Sequence, residues 1–251
     1  MKGRNDSLLI ATPDLNTDIF IPENIQKMPG LGGESDVIRM AHLMPGIQTG
    51  ADGVGGIAVR GGNVDQNLYL LDGVPVYNPY HAIGIYSVFN SSALRSVNLI
   101  RGPFPAKYGG RISSVLDVRT KEGNMKDTKV DLDMGLTSIK LTVEGPLQKD
   151  KTSFFISGRQ ALFQLYSVPI TTRLRAAEGN SGFISYSFYD LNAKINHKIS
   201  DKDHLYASYY RGSDSFVDEN GLEFFTEPDT TIFFLDDEDV FWGNEIASLR
   251  W

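Results

Sequence analysis

The sequence predicts two unlike parts: a small mixed α+β unit with short helices in the first half, and antiparallel hairpins in the second. Three patterns predict this. Up to residue 123, short apolar runs are broken by paired glycines, as happens where backbones pass close to something else. From Val130 onward, apolar and polar residues alternate with period two. The pattern is cleanest where Tyr189, Leu191, Ala193 and Ile195 interleave with Asp190, Asn192, Lys194 and Asn196, as in a half-buried strand. Finally, no apolar run approaches the ~18 residues of a membrane helix, while alternating strands can still cross a bilayer as a barrel.

The first half reads in order. Residues 29–33 form a turn. Glu34, Ser35 and Asp36 precede Val37, Ile38, Met40, Ala41 and Leu43, so acidic and capping residues open a short amphipathic helix. Pro45-Gly46 ends it. A glycine-rich loop over 48–56 leads to a strand over 57–60, and the turn Gly61-Gly62-Asn63 leads to a strand over 68–71. A loop over 75–84 carries Tyr77, Asn78, Tyr80 and His81. Residues 92–96 are permissive of helix, and strands follow over 97–100 and 115–119.

In the second half, Val130, Leu132, Met134 and Leu136 are apolar at even positions, and Ile139, Leu141 and Val143 at odd ones. A one-residue slip sends every side chain to the other face. Two strands joined by a tight turn near Leu136-Thr137-Ser138 are therefore expected, a bulge being the alternative. A turn at 148–151, a strand over 152–163 and a loop over 167–182 follow. The strand around 189–196, a turn at 200–203, a strand from Leu205, a long loop and a last strand from Phe241 complete the chain. The connections run short, short, long, short, long. With entry from the periplasm, this puts the short turns at 148 and 200 inside and the two long loops outside, the asymmetry of membrane barrels.

Composition excludes several chemistries. The 251 residues contain 24 basic and 31 acidic side chains, a net charge of −7, which argues against nucleic-acid binding. With no cysteine, disulfides, zinc-thiolate centres and cysteine nucleophiles are absent. The glycine-rich stretch over 50–62 is not followed by Gly-Lys-Ser/Thr, and neither HExxH nor GxSxG occurs. His42, His81, His197 and His204 have no ligand spacing, so no metal and no cofactor is expected. The run Asp236-Asp237-Glu238-Asp239 lacks the alternation and central glycine of a calcium loop and reads as a solvated outer loop. Phe224, Phe225, Phe233 and Phe234 flank it.

An ordered series of motifs carries a family resemblance. Met44-Pro45-Gly46-Ile47, Val59-Arg60-Gly61-Gly62, Leu70-Leu71-Asp72-Gly73-Val74-Pro75-Val76, Leu99-Ile100-Arg101-Gly102-Pro103, Lys107-Tyr108-Gly109-Gly110, Ser113-Ser114-Val115-Leu116-Asp117-Val118 and Thr120-Lys121-Glu122-Gly123 resemble the plug domain of TonB-dependent outer-membrane receptors. Glu144-Gly145-Pro146 and residues 188–198 look like early barrel strands of such receptors of the Bacteroidetes type. The resemblance implies a linker over 1–21, a plug over 22–123, and about the first six strands of a 22-stranded barrel over 124–251. Since six strands cannot close such a barrel, the chain is expected to be a fragment.

The resemblance further implies no covalent chemistry but active import of a scarce nutrient (siderophore, cobalamin, glycan or peptide) across the outer membrane of a Gram-negative bacterium. The expected partners are the TonB energy-transducing complex, outer-membrane lipid, the small nutrient ligand and, in glycan importers, a surface lipoprotein lid. Ser7 to Ala11 is the one weak candidate for a TonB box. The wording Gly102-Pro103-Phe104-Pro105-Ala106-Lys107-Tyr108-Gly109-Gly110 departs from that of starch-type glycan importers. Family ligand contacts lie in three apical plug loops, matching residues 48–53, 63–66 and 77–86. Thr49, Asp52, Asn63, Asp65, Gln66, Tyr77, Asn78, Tyr80 and His81 are the candidate substrate residues, although Asn63, Asp65 and Asn78 also suit plain turn closure. Arg60 and Arg101 are expected at plug–barrel contacts, where buried charge needs partners. The alternative is a soluble or surface β-rich binding module of adhesin type, folded around an aqueous core.

Overall fold

The structure, a computed structural model, describes residues 9–11, 17–28, 30–50, 55–227 and 230–251. The N-terminal unit runs through β1 (Leu9–Ala11), β2 (Thr17–Phe20), α1 (Pro22–Gln26), α2 (Val37–His42), β3 (Ile47–Thr49) and β4 (Ile57–Val59). It continues with β5 (Asn67–Leu71), β6 (Val74–Pro75), β7 (Tyr80–His81), β8 (Tyr86–Ser87), β9 (Leu94–Arg101) and β10 (Ser114–Thr120). Its main sheet has the order β1-β2-β9-β10-β5-β6. The β10–β5 pair is parallel and the others are antiparallel, so the sheet is mixed as expected.

The sequence fixes the start of α2 through Asp36, whose Oδ1 accepts from the Ile38 and Arg39 amides at 2.8 and 3.0 Å. Such a cap is worth about 1 kcal/mol. Asp36 Oδ2 also accepts from the Ser87 amide at 2.6 Å, so the cap ties the helix to β8. Val37, Ile38, Met40 and Ala41 are buried with Val97, Leu99, Leu116 and Val118 of the sheet. Thus the apolar face of α2 closes one side of a conventional core.

The second part is one antiparallel sheet in sequence order: β11 (Lys129–Met134), β12 (Ser138–Gln148), β13 (Thr152–Ala161), β14 (Ser181–Lys198), β15 (His204–Glu227) and β16 (Thr230–Arg250). The phase flip at 136–139 is a turn between two strands, with Met134 opposite Ile139.

Two expectations are corrected. The loop expected over 167–182 contains a helix, α3 (Gln164–Ala177). No side chain of α3 is buried, and Leu165, Ile170 and Leu174 are exposed, so no core-facing stripe betrayed it. The long loop expected before Phe241 is also absent: β15 and β16 pair from Tyr206–Arg250 out to Glu227–Thr230, with one register shift between Phe225 and Glu227. The acidic run lies on β16, where Asp237, Glu238 and Asp239 are exposed. Past the bilayer neither face needs to be apolar, so the alternation disappears while the backbone ladder persists.

This sheet is inverted relative to a water-soluble one. Ser138, Lys140, Thr142, Ser157, Arg159, Asp190, Asn192, Lys194 and Asn196 are buried, whereas Val130, Leu132, Leu141, Ile156 and Ile195 are 46–66% exposed. The polar face packs on the N-terminal unit and the apolar face is bare, the arrangement of a strand between lipid and a polar lumen. Among the described residues no helix is long and apolar enough to cross a membrane.

Candidate functional site

The connecting loops of the unit lie against the end of the sheet that carries Tyr186, Phe216 and Trp242. Asn63 opens a helical turn over 64–66 as part of a capping box with Gln66. The Asn63 amide donates to Gln66 Oε1 at 3.1 Å, and the Gln66 carbonyl accepts from Ile112 and Ser113. Asn78 is held by Asn244 of β16, whose Nδ2 donates to the Asn78 carbonyl at 2.7 Å. Tyr80 and Tyr69 share a hydroxyl contact of 2.7 Å. Burial pushes the Tyr80 phenol up, and the Tyr69 neighbour adds to it, so Tyr80 stays a neutral hydroxyl.

Six of the nine expected ligand residues converge. Thr49, Asn63, Asp65, Tyr77, Asn78 and Tyr80 line one cavity of about 740 Å³, where Arg111 is the single cation. Tyr77 is 86% exposed. Gln66 turns to its own capping box instead. Asp52 lies outside the described residues. A second cavity, about 800 Å³, shares Asn78 and Tyr80 and adds Tyr186, Phe216, Val240 and Trp242 from the sheet. Trp242 stacks at 6.4 Å on Tyr186. The two together make a cleft with a polar wall and an aromatic wall, suited to a ligand of mixed surface.

His81 lies beneath this cleft, 1% exposed. Its Nδ1 is 2.7 Å from Asp214 Oδ2, and its Nε2 is 2.9 Å from Asp190 Oδ1. Carboxylates only accept, so both nitrogens donate and the ring is an imidazolium. Burial pulls its pKa down, but Asp190 and Asp214 together more than offset this and the net direction is up. The ring stacks on Phe188 at 4.3 Å.

Further pairs tie the unit to the sheet. Arg159 donates from Nε to Asp190 Oδ2 at 2.6 Å, from Nη1 to Glu34 Oε1 at 2.7 Å and from Nη2 to the Ser87 carbonyl at 2.7 Å. Lys140 Nζ lies 3.4 Å from Glu34. Burial pushes the Glu34 carboxyl up, yet Arg159 and Lys140 hold it below its ordinary value. Deeper in the sheet, Lys194 Nζ donates to Asp72 Oδ1 at 2.6 Å and to the Thr120 carbonyl at 3.1 Å. Asp72 sits at φ 51°, followed by Gly73 at φ 89°. The tight β5–β6 turn thus aims the carboxylate at the sheet. Arg101, expected at such a contact, is bonded within the unit, to Asp18 at 3.0 Å and the Pro45 carbonyl at 2.6 Å. The Arg60 side chain runs beside Gly102. Sequence reasoning missed Glu34, Asp72, Arg159, Asp190, Lys194 and Asp214; the available signal was charge on the polar face of alternating strands.

A mixed unit bound through buried charge to the polar face of an inverted sheet agrees with the family comparison. The family described as TonB-dependent Receptor Plug Domain matches residues 22–115. Over these residues the chain is similar to the plug domain of TonB-dependent receptors. The sheet after the plug has the fold of part of such a receptor's barrel, as three solved structures show. The siderophore receptor PirA from Acinetobacter baumannii superposes with a TM-score of 0.56 at 17% identity, over 83% of this chain and 37% of that one. PirA from Pseudomonas aeruginosa gives 0.52 at 19%, over 96% and 44%. The copper transporter OprC gives 0.54 at 10%, over 96% and 44%. This chain spans less than half the length of each. No curated protein sequence matches it.

Proposed function

We propose that the chain is the plug and opening barrel strands of a receptor that imports a scarce nutrient across the outer membrane, driven by the TonB complex. The observation that carries this is the convergence of three plug loops on one cleft at the outer end of a lipid-facing sheet. Thr49, Asn63, Asp65, Tyr77, Asn78 and Tyr80 bind the ligand, and the plug is the gate beneath them. A siderophore, cobalamin, a glycan or a peptide fits the amide, hydroxyl and ring chemistry of the cleft. The motif wording supports a receptor of the Bacteroidetes type, with a surface lipoprotein as lid if the nutrient is a glycan. The bare apolar face of the sheet argues against a soluble adhesin, because such a face in water would aggregate.

The test is growth of a strain deleted for the full gene on limiting ferric chelates, cobalamin, glycans or peptides. The expected result is a defect on one class, reproduced by loss of TonB. Equal growth on every class would overturn the import reading.

A further inference from the structure

Six buried charged groups lie under the cleft in one connected set of contacts: the carboxylates of Glu34, Asp190 and Asp214, and Arg159, Lys140 and His81. Lys140 also lies 3.5 Å from the exposed Asp133 of β11, so among the six buried groups the carboxylates are matched by cations only while His81 is protonated. Glu34 and His81 come from the plug, and the other four from β12, β13, β14 and β15. Tyr186 and Tyr210 donate hydroxyls to Asp214 and Asp190. The Ala82 amide donates to Asp214 at 3.2 Å. On the plug side, Asp36 is bonded to the Ser87 amide, and Arg39 lies 3.4 Å from the Ile85 carbonyl.

We propose that His81 is a positioning residue: its imidazolium clamps the 77–86 loop to the barrel wall, so proton loss from His81 frees the loop that binds ligand. The claim rests on the reading of that loop as a ligand loop. A neutral imidazole has one donor and one acceptor. It cannot serve two carboxylates, so deprotonation leaves one buried carboxylate facing a ring lone pair. That contact is repulsive and lies where water cannot screen it. The loop is also held by the Asn78–Asn244 pair, the Tyr80–Tyr69 hydroxyls and the Tyr86 ring against Phe163 and Phe188, while its Ala82 amide is bound to the same Asp214. Loop geometry and cluster charge are therefore linked through one proton. Binding of a ligand that needs the docked loop should weaken as pH rises.

The chain contains no cysteine, so Tyr77→Cys places one spin label on an exposed loop position within it. The experiment records label mobility from pH 5 to pH 9 in the full-length receptor purified from outer membranes. The expected result is an immobile label at low pH and a several-fold rise in the mobile fraction at a midpoint above 6.5. Asp214→Asn should move that midpoint down, because one carboxylate fewer holds the proton. His81→Gln should remove the transition and leave the label mobile throughout. A mobile fraction that is flat across the range in the native cluster, or a transition that survives His81→Gln, would overturn the proposal. Import is scored separately. An intact transition with nutrient uptake unaffected by loop substitutions sinks the ligand-loop reading and leaves the clamp standing.

Discussion

Asp72 and Glu34 do similar work at opposite ends of the plug: each is a carboxylate presented to a cation on the barrel face. Neither role could be read in the sequence. Arg159 and Glu34 are 125 positions apart, and Lys194 and Asp72 are 122, so no local spacing links them. The loop residues were legible because turn-forming amides and exposed aromatics announce themselves locally. Removing one partner of a buried pair leaves an uncompensated charge at a cost of about 3–5 kcal/mol. Lys194→Met should therefore destabilise the receptor by that order in urea unfolding, and adding Asp72→Asn should recover part of the loss; strict additivity would refute the pairing. Acid sensitivity follows from Glu34. Its folded pKa lies below the ordinary 4.5, so its contribution is full above pH 4.5 and is lost as pH falls through the lowered value. Glu34→Gln should flatten that acid limb in thermal unfolding between pH 2 and 5. An unchanged limb would assign acid unfolding elsewhere.

At the level of elements, period-two alternation was legible wherever lipid demands it and illegible where it does not. The phase flip near 136–139 correctly separated β11 from β12, because a register error there would expose every inward polar group. β15 and β16 were read only in part, since their 24 and 21 residues exceed the ~9–11 needed to span a bilayer. Beyond the apolar band both faces carry acids. Arg211 and Glu245 are paired in register. Ile156 lies within the band at 46% exposure. Ile156→Arg should cost about 2–4 kcal/mol of folding free energy into lipid vesicles. Asp239→Arg, on the exposed extension, should stay near neutral. Equal costs at the two positions would mean that the bilayer does not lie where the alternation places it.

For the whole molecule, the mixed unit and the antiparallel sheet were visible in the order of motifs and in the period-two alternation. The inversion of polarity is what joins them. A plug can bury Lys140, Arg159 and Lys194 only because the sheet turns its apolar side to lipid, and that sheet gains a polar lining only because the plug supplies matching carboxylates. Such mutual dependence predicts a fixed orientation: α3 and the β15–β16 hairpin outside, and the 148–152 and 198–204 turns in the periplasm. Cysteine labelling on live cells tests this most directly. Arg173→Cys on α3 should react with a membrane-impermeant maleimide on intact cells. Lys149→Cys should react only after the outer membrane is permeabilised. Labelling of Lys149→Cys on intact cells, or protection of Arg173→Cys there, would contradict a plug seated in an outer-membrane barrel with its ligand loops facing out.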